Sequence, residues 1–211
     1  MKKVIVFGAS GGCGLEIVKH ALDKGLRVTA VVRNPAAFTL MHPALTVVKG
    51  DVMKLESFSD AMKGQDAVIS ALGSSGRKPT ILYSMGARHI MMAMHVHDVR
   101  RLLCVSASAL YTNQKMSLFL KFFIKAVLQP LLKEPYNDMR LMEKEVQQSG
   151  LDYTIVRPPR LLDKRGKGTY RIAVNDHLTG LSTIARADVG HYMVQHLENK
   201  KTYGAIVEIS D

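Results

Sequence analysis

Residues 3–14 read KVIVFGASGGCG, an apolar run that passes straight into glycines at 8, 11 and 14. A run apolar at nearly every position suits a strand covered on both faces. Glycine at every third position directly after it suits a tight turn from strand to helix. Gly8 permits the turn, Gly11 lets backbone approach a pyrophosphate, and Gly14 allows helix and strand to pack closely. The helix that follows offers unpaired N–H groups and a positive end to an anion. A glycine triplet alone is a weak signal, and its place at the first strand–helix junction is what gives it weight.

The same rhythm runs on. Short Val- and Ile-rich stretches at 3–8, 27–32, 45–50, 67–72, 101–106, 153–158 and 205–210 read as strands. Helical patterns fill 13–24, 55–63, 80–97, 136–149 and 187–198. This β-α-β-α order predicts an α/β, Rossmann-type doubly wound fold, a mainly parallel sheet with helices on both faces. No repeat or linker divides the chain. Residues 1–211 therefore read as a single NAD(P)-binding domain with a small C-terminal substrate-side region, long enough to bury a core. The MKKVIVFG start is too short in its apolar part for a leader and reads as the first strand. No stretch reaches the roughly 18 apolar residues of a membrane span, and no membrane contact is expected. Two cysteines point to a reducing compartment, so the expected location is the cytoplasm.

The formal net charge of +11 suits an anionic cofactor or substrate. The basic residues are dispersed and not interleaved with aromatics, so nucleic acid is not an expected partner. No metal site is expected, because His89, His95 and His97 lack carboxylates or cysteines at ligand spacing.

Several side chains are candidates for chemistry. Arg33 ends the second strand, where an acidic residue would hold both ribose hydroxyls of NAD; arginine there suits a 2′-phosphate and favours NADP(H) over NAD(H). Ser106 and Ser108 follow the fifth strand and could hydrogen-bond a carboxamide or an acceptor. Tyr111 and Lys115 have i, i+4 spacing but fall in a loop, where the two side chains do not share a helix face. Tyr136 and Arg140 have the same spacing inside a helix that Pro135 can open and Gly150 can end. Tyr136 is equally a pocket-rim tyrosine. Cys13, at a helix N-terminus, is an exposed-thiol candidate with a lowered pKa. The run 116–133 carries Leu118, Phe119, Leu120, Phe122, Phe123, Ile124, Val127 and Leu128 against one stripe of Lys121, Lys125, Gln129 and Lys133. Such a helix is expected in the core or as a lid on a substrate pocket, with a homodimer face as the alternative and membrane contact ranked last, and Pro130 should kink or end it.

FGASGGCG, VVRNP, GDV at 50–52, ISALG at 69–73 and SGLDYTIVRPPRL at 149–161 resemble the atypical short-chain dehydrogenase/reductases. The resemblance is to the NAD(P)H-binding branch that includes NADPH-dependent flavin reductase/biliverdin IXβ reductase, with NmrA-like proteins further off, and it runs to about Asp188. It implies that Gly8, Ser10, Gly11, Gly12, Cys13 and Gly14 form the pyrophosphate loop and that Arg33 meets the 2′-phosphate. Asp51 and Val52 would flank the adenine, Leu72 and Gly73 would pass the nicotinamide ribose, and Ser106 and Pro158 would border the nicotinamide. A small-molecule acceptor, FMN or another planar compound, would meet Ser108, Tyr111 and Arg160, with Ser106, Tyr136 and Arg140 as the catalytic group. The chain departs from the family at two points. Arginine stands at 140 where the familiar Tyr-Lys pair has lysine, and Arg160 follows the paired prolines where the flavin/biliverdin branch has histidine. A fixed cation at 160 suits a phosphate or propionate rather than proton shuttling. The expected function is an NAD(P)H-dependent reductase. A non-catalytic NAD(P)H sensor and a nucleotide-sugar epimerase or dehydratase are the alternatives.

Overall fold

A computed structural model describes residues 2–74, 80–112, 114–180 and 183–211. The elements in chain order are β1 (Lys3–Phe7), α1 (Gly12–Asp23), β2 (Arg27–Val32), β3 (Leu45–Lys49), β4 (Ala67–Ser70), α2 (Leu82–Val96) and β5 (Arg101–Val105). They continue with α3 (Leu118–Phe123), α4 (Gln129–Leu131), α5 (Lys133–Gln147), β6 (Asp152–Arg157), β7 (Arg160–Leu162), β8 (Arg171–Val174), β9 (Thr183–Ala185), α6 (Arg186–Gln195) and β10 (Ala205–Ser210).

Eight strands form one sheet in the order β3-β2-β1-β4-β5-β6-β10-β8, parallel except for β8 against β10. β7 and β9 make a separate parallel pair. The order reverses at β1, between β2 and β4, and that is where a doubly wound sheet opens a crevice at its strand ends. The sequence of β1 shows why both faces are covered. Val4 and Val6 belong to the core shared with α1 and α6, and Ile5 and Phe7 to the core shared with α2 and α5. Side chains alternate across a strand, so an all-apolar strand must be roofed twice.

The helices are held by specific polar contacts as well as by burial. Asp138 of α5 is buried and caps α2 from outside, accepting hydrogen bonds from the Tyr83 N–H at 2.8 Å, the Ser84 N–H at 3.2 Å and the Ser84 hydroxyl. A carboxylate at a helix N-terminus satisfies orphan donors and complements the dipole. Gly150 follows α5 with φ +70°, a left-handed conformation that favours glycine past a helix end.

Two expectations fail. Residues 55–63 are not a helix but two short 3₁₀ turns, Leu55–Ser57 and Ser59–Met62. Between them Phe58 leaves helical geometry at φ −140° and buries its ring edge-on against Phe7, with centroids 4.9 Å apart. Packing of that one aromatic overrides the local helical pattern. The 116–133 segment is not buried on most of its circumference either. Leu118, Phe119 and Phe122 are 83, 81 and 69% exposed. A π-turn over Ile124–Leu128 precedes Pro130, and the helical path breaks at Leu132 rather than at the proline. β7, β8 and β9, unforeseen, are three or four residues long and lie at the edge of the main sheet or outside it.

Candidate functional site

A cleft of about 590 Å³ lies over the C-terminal ends of β1 to β5. Gly8, Ser10, Gly11, Gly12 and Cys13 form its floor, Arg33, Asp51 and Val52 one end, and Leu72, Gly73 and Val105 the other. The glycines are required by the geometry. Gly8 has φ +72°, and a Cβ there would overlap the Ala71 carbonyl. A Cβ on Gly14 would overlap the Gly8 carbonyl, so Gly14 packs behind the loop rather than lining the cleft. The Gly11 N–H closes the turn onto the Gly8 carbonyl at 2.9 Å. No side chain caps α1 and its first turn holds no acidic residue, so its N–H groups are left for an anion. A Cβ on Gly73 would meet none of the described residues within 4 Å. This loop and its uncapped helix fit a dinucleotide pyrophosphate.

Arg33 is exposed at the cleft edge beyond β2. Asp51 folds into its own turn, with Oδ1 accepting from the Met53 N–H at 3.0 Å. The Val52 carbonyl lies 2.7 Å from His89 Nδ1. At the far end the Ser74 N–H donates to the Tyr83 hydroxyl at 2.9 Å, which holds the strand-end loop against α2.

One residue of this cleft escaped the sequence reading. Arg186 opens α6 and lies against Gly12, where an added Cβ would meet its Cδ at 2.6 Å. It pairs with Asp163 at 2.6 Å. A cation at a helix N-terminus opposes the dipole, and that local conflict was the signal available in the sequence.

A second, mostly apolar pocket of about 530 Å³ adjoins the cleft. Val105 lines the cleft and Ala107 the pocket; Leu161 and Arg160 divide in the same way. Ser108, Tyr136, Pro158 and Arg160 line this second pocket, so Pro158 lies there and not along the first cleft. Met116, Phe123, Ile124 and Leu128 of the exposed segment form its other wall. Burial pushes the Tyr136 phenol up, and Arg140 only partly counters it. Tyr136 therefore keeps its proton at neutral pH. Arg140 itself turns to the 106–111 loop, donating to the Leu110 carbonyl at 2.7 Å and to Asn137 Oδ1 at 3.0 Å.

Ser106 faces neither cavity. Its hydroxyl is buried and donates to Glu143 Oε1 at 2.6 Å. Glu143 also receives Arg157 Nε at 2.8 Å and its second nitrogen at 2.5 Å. Tyr111 closes this cluster, its ring 4.4 Å from the Arg157 guanidinium carbon. Burial and then the Glu143 charge raise the Tyr111 phenol, against Arg157 and Arg140. Lys115 is drawn the other way, to Asp176 at 2.6 Å, and Tyr111 and Lys115 form no pair. Glu143 and Arg157 were not among the candidates, since nothing local marks a helix glutamate and a strand arginine as partners.

Cys13 is a correction. Its side chain is buried in the core, and burial pushes the thiol up to about 11 against the pull of Arg186. The helix N-terminus does not expose it, because the backbone rather than the side chain faces the cleft. Among the described residues no cluster of metal-ligating side chains occurs, and no helix is long and apolar enough to cross a membrane.

A family model described as NAD(P)H-binding matches residues 8–200. The uncharacterised sugar epimerase YhfK of Bacillus subtilis is 27% identical over 219 residues, covering 99% of this chain and 94% of that protein. Among solved structures, SP1627 of Streptococcus pneumoniae, proposed as an NADH-flavin reductase, superposes with a TM-score of 0.81 at 24% identity over 100% of both chains. A short-chain dehydrogenase/reductase from Veillonella parvula in complex with NADP superposes with a TM-score of 0.79 at 17% identity, covering 100% of this chain and 94% of that one.

Proposed function

The chain belongs to the NAD(P)H-binding family, and from that premise we propose that it is an NADPH-dependent reductase of a planar small-molecule acceptor such as FMN. The observation that supports this reading is an apolar pocket whose lining residues Ala107 and Arg160 neighbour, in sequence, Val105 and Leu161 of the cleft. A flat, largely apolar acceptor laid there would meet the cofactor face to face, with Arg160 at the edge for a phosphate or carboxylate.

The bound dinucleotide supplies hydride, and the chain supplies position. The α1 N–H groups hold the pyrophosphate. Arg33 meets the 2′-phosphate and sets the preference for NADPH. The pocket walls exclude water from the acceptor face. Tyr136, still protonated, can donate a hydrogen bond to the acceptor but cannot act as a base. An electron-poor ring system takes hydride without an internal acid, and solvent supplies the accompanying proton.

A non-catalytic NAD(P)H sensor is the second reading. It is favoured by Ser106, whose hydroxyl is committed to Glu143 and turned away from both cavities. The name of YhfK points instead to an epimerase, but among the described residues no Tyr-Lys pair lines the acceptor pocket to serve that chemistry. NADPH oxidation followed by absorbance with excess FMN separates these readings. Steady FMN-dependent turnover, faster with NADPH than with NADH, is expected of the reductase. Tight NADPH binding without turnover would move the reading to the sensor or to an enzyme of a quite different acceptor.

A further inference from the structure

The segment from Met116 to Lys133 has two unlike sides. On the inner side Met116 and Ile124 are buried, with Leu128 and Leu178 packed against them. On the outer side Leu118, Phe119 and Phe122 stand almost bare. Positions 118, 119 and 122 are spaced i, i+1 and i+4, which places them on one face of a helix. Covering one such side chain is worth about 1.5–3 kcal/mol. A contiguous patch of this kind on a folded surface marks something that binds there.

Charge identifies what. No aspartate or glutamate occurs between Asp98 and Glu134, whereas lysines occupy 115, 121, 125 and 133. Lys125 is exposed and Lys121 half-exposed beside the aromatic face. A second copy of this face would set lysines against lysines with no carboxylate to meet them, the opposite of complementary pairing. An anionic lipid surface meets both features at once. The aromatic and leucine side chains enter the acyl boundary, and the lysines run their stems along the apolar surface to keep their ammonium groups at the phosphates. The net charge of +11 draws the whole molecule the same way.

We propose that the face formed by Leu118, Phe119 and Phe122 docks this protein in the plane of an anionic bilayer, with Lys121 and Lys125 at the headgroups. The inner wall of the same segment closes the acceptor pocket. Docking would therefore place that pocket directly behind the lipid-facing surface. The inference stands whether or not the protein is a reductase.

The chain contains no tryptophan, so Phe122→Trp makes a single fluorescent reporter on the docking face. The full chain carrying it is titrated with phosphatidylcholine vesicles and with vesicles of mixed phosphatidylcholine and phosphatidylglycerol. The expected result is a blue shift and co-sedimentation with the anionic vesicles alone, weakened by salt. Phe119→Ser with Phe122→Ser keeps every charge and should lower vesicle affinity by about tenfold or more. Unchanged circular dichroism and NADPH binding confirm that this variant is folded. Absence of a blue shift overturns the proposal. Retained binding by the double serine variant overturns it too, because the attraction then belongs to overall charge and not to this face. A blue shift that appears with protein concentration, without vesicles, identifies a second copy as the occupant and equally overturns it.

Discussion

The two ends of the proposed site are built from different materials. The cofactor end is made of backbone: the turn at Gly8, the uncapped N–H groups of α1, and the strand end at Gly73. The acceptor end is made of side chains, Met116, Ile124, Tyr136 and Arg160 among them, and next in sequence to its residues Ala107 and Pro158 a buried cluster ties Ser106 and Arg157 to Glu143, with Tyr111 stacked on Arg157. A backbone site is rigid as soon as its turn is formed and tolerates any side chain that does not intrude. A side-chain site is only as rigid as its packing, and losing one partner strands the others. The difference teaches where mutation should hurt the fold and where it should hurt only binding.

The largest effect should come from the cluster beside the acceptor end. The side chains of Glu143 and Arg157 are 1% and 10% exposed. Glu143→Leu leaves Arg157 buried without its counter-charge, and breaking such a pair costs about 3–5 kcal/mol. Urea unfolding should show that loss, with most of it recovered in Glu143→Leu/Arg157→Leu, because two apolar residues no longer strand a charge. A single-variant loss under about 1 kcal/mol would mean the cluster does not anchor this end, and the contrast between the two ends would collapse.

A smaller and more selective effect belongs to the cofactor end. Arg33 is exposed and lies at the far edge of the cleft, so Arg33→Ala should leave stability unchanged. Loss of charge-assisted hydrogen bonds to a phosphate, about 1.5–3 kcal/mol, should weaken NADPH binding about 10- to 100-fold. NADH, lacking the phosphate, should change by no more than about twofold on the same reasoning. Fluorescence titration with both nucleotides measures this. Equal losses would remove Arg33 from the 2′-phosphate site.

This contrast also explains what the sequence disclosed. A backbone site needs glycines at fixed spacing in one stretch, so residues 8–14 announce the cleft; Arg33 follows from its place at a strand end, and 51–52 and 72–73 from the family resemblance. The cluster beside the acceptor end draws on positions 106, 111, 143 and 157, brought together only when α5 packs beside β5 and β6. Ser106 was legible as a strand-end hydroxyl, but not the direction in which it points. Tyr111 was legible as half of an i, i+4 pair, yet its partner is Arg157 and not Lys115. The outward face of 116–133 was misread for a related reason. Apolar composition says that a surface is costly to leave in water; it does not say what covers it.

The smallest effect sharpens the comparison most, because it separates backbone from side chain within one residue. Cys13 lines the cleft, but its side chain is buried among core residues beneath the loop. If the cofactor end is a backbone site, Cys13→Ala should keep NADPH affinity within about twofold, since the N–H that faces the anion is retained. The thiol itself should be silent. With its pKa pushed up to about 11 by burial, it is neutral in the folded protein at pH 7–8, and iodoacetamide should label it far more slowly than an unfolded thiol near its ordinary value. The sign on stability follows. Between the unfolded thiol's pKa and about 11 the unfolded chain has lost this proton while the folded chain retains it. The contribution is therefore fully present below the unfolded value and is lost as pH rises through the folded one. Fast labelling at neutral pH would place a reactive thiolate in the cleft, and the cofactor end would then be a side-chain site after all.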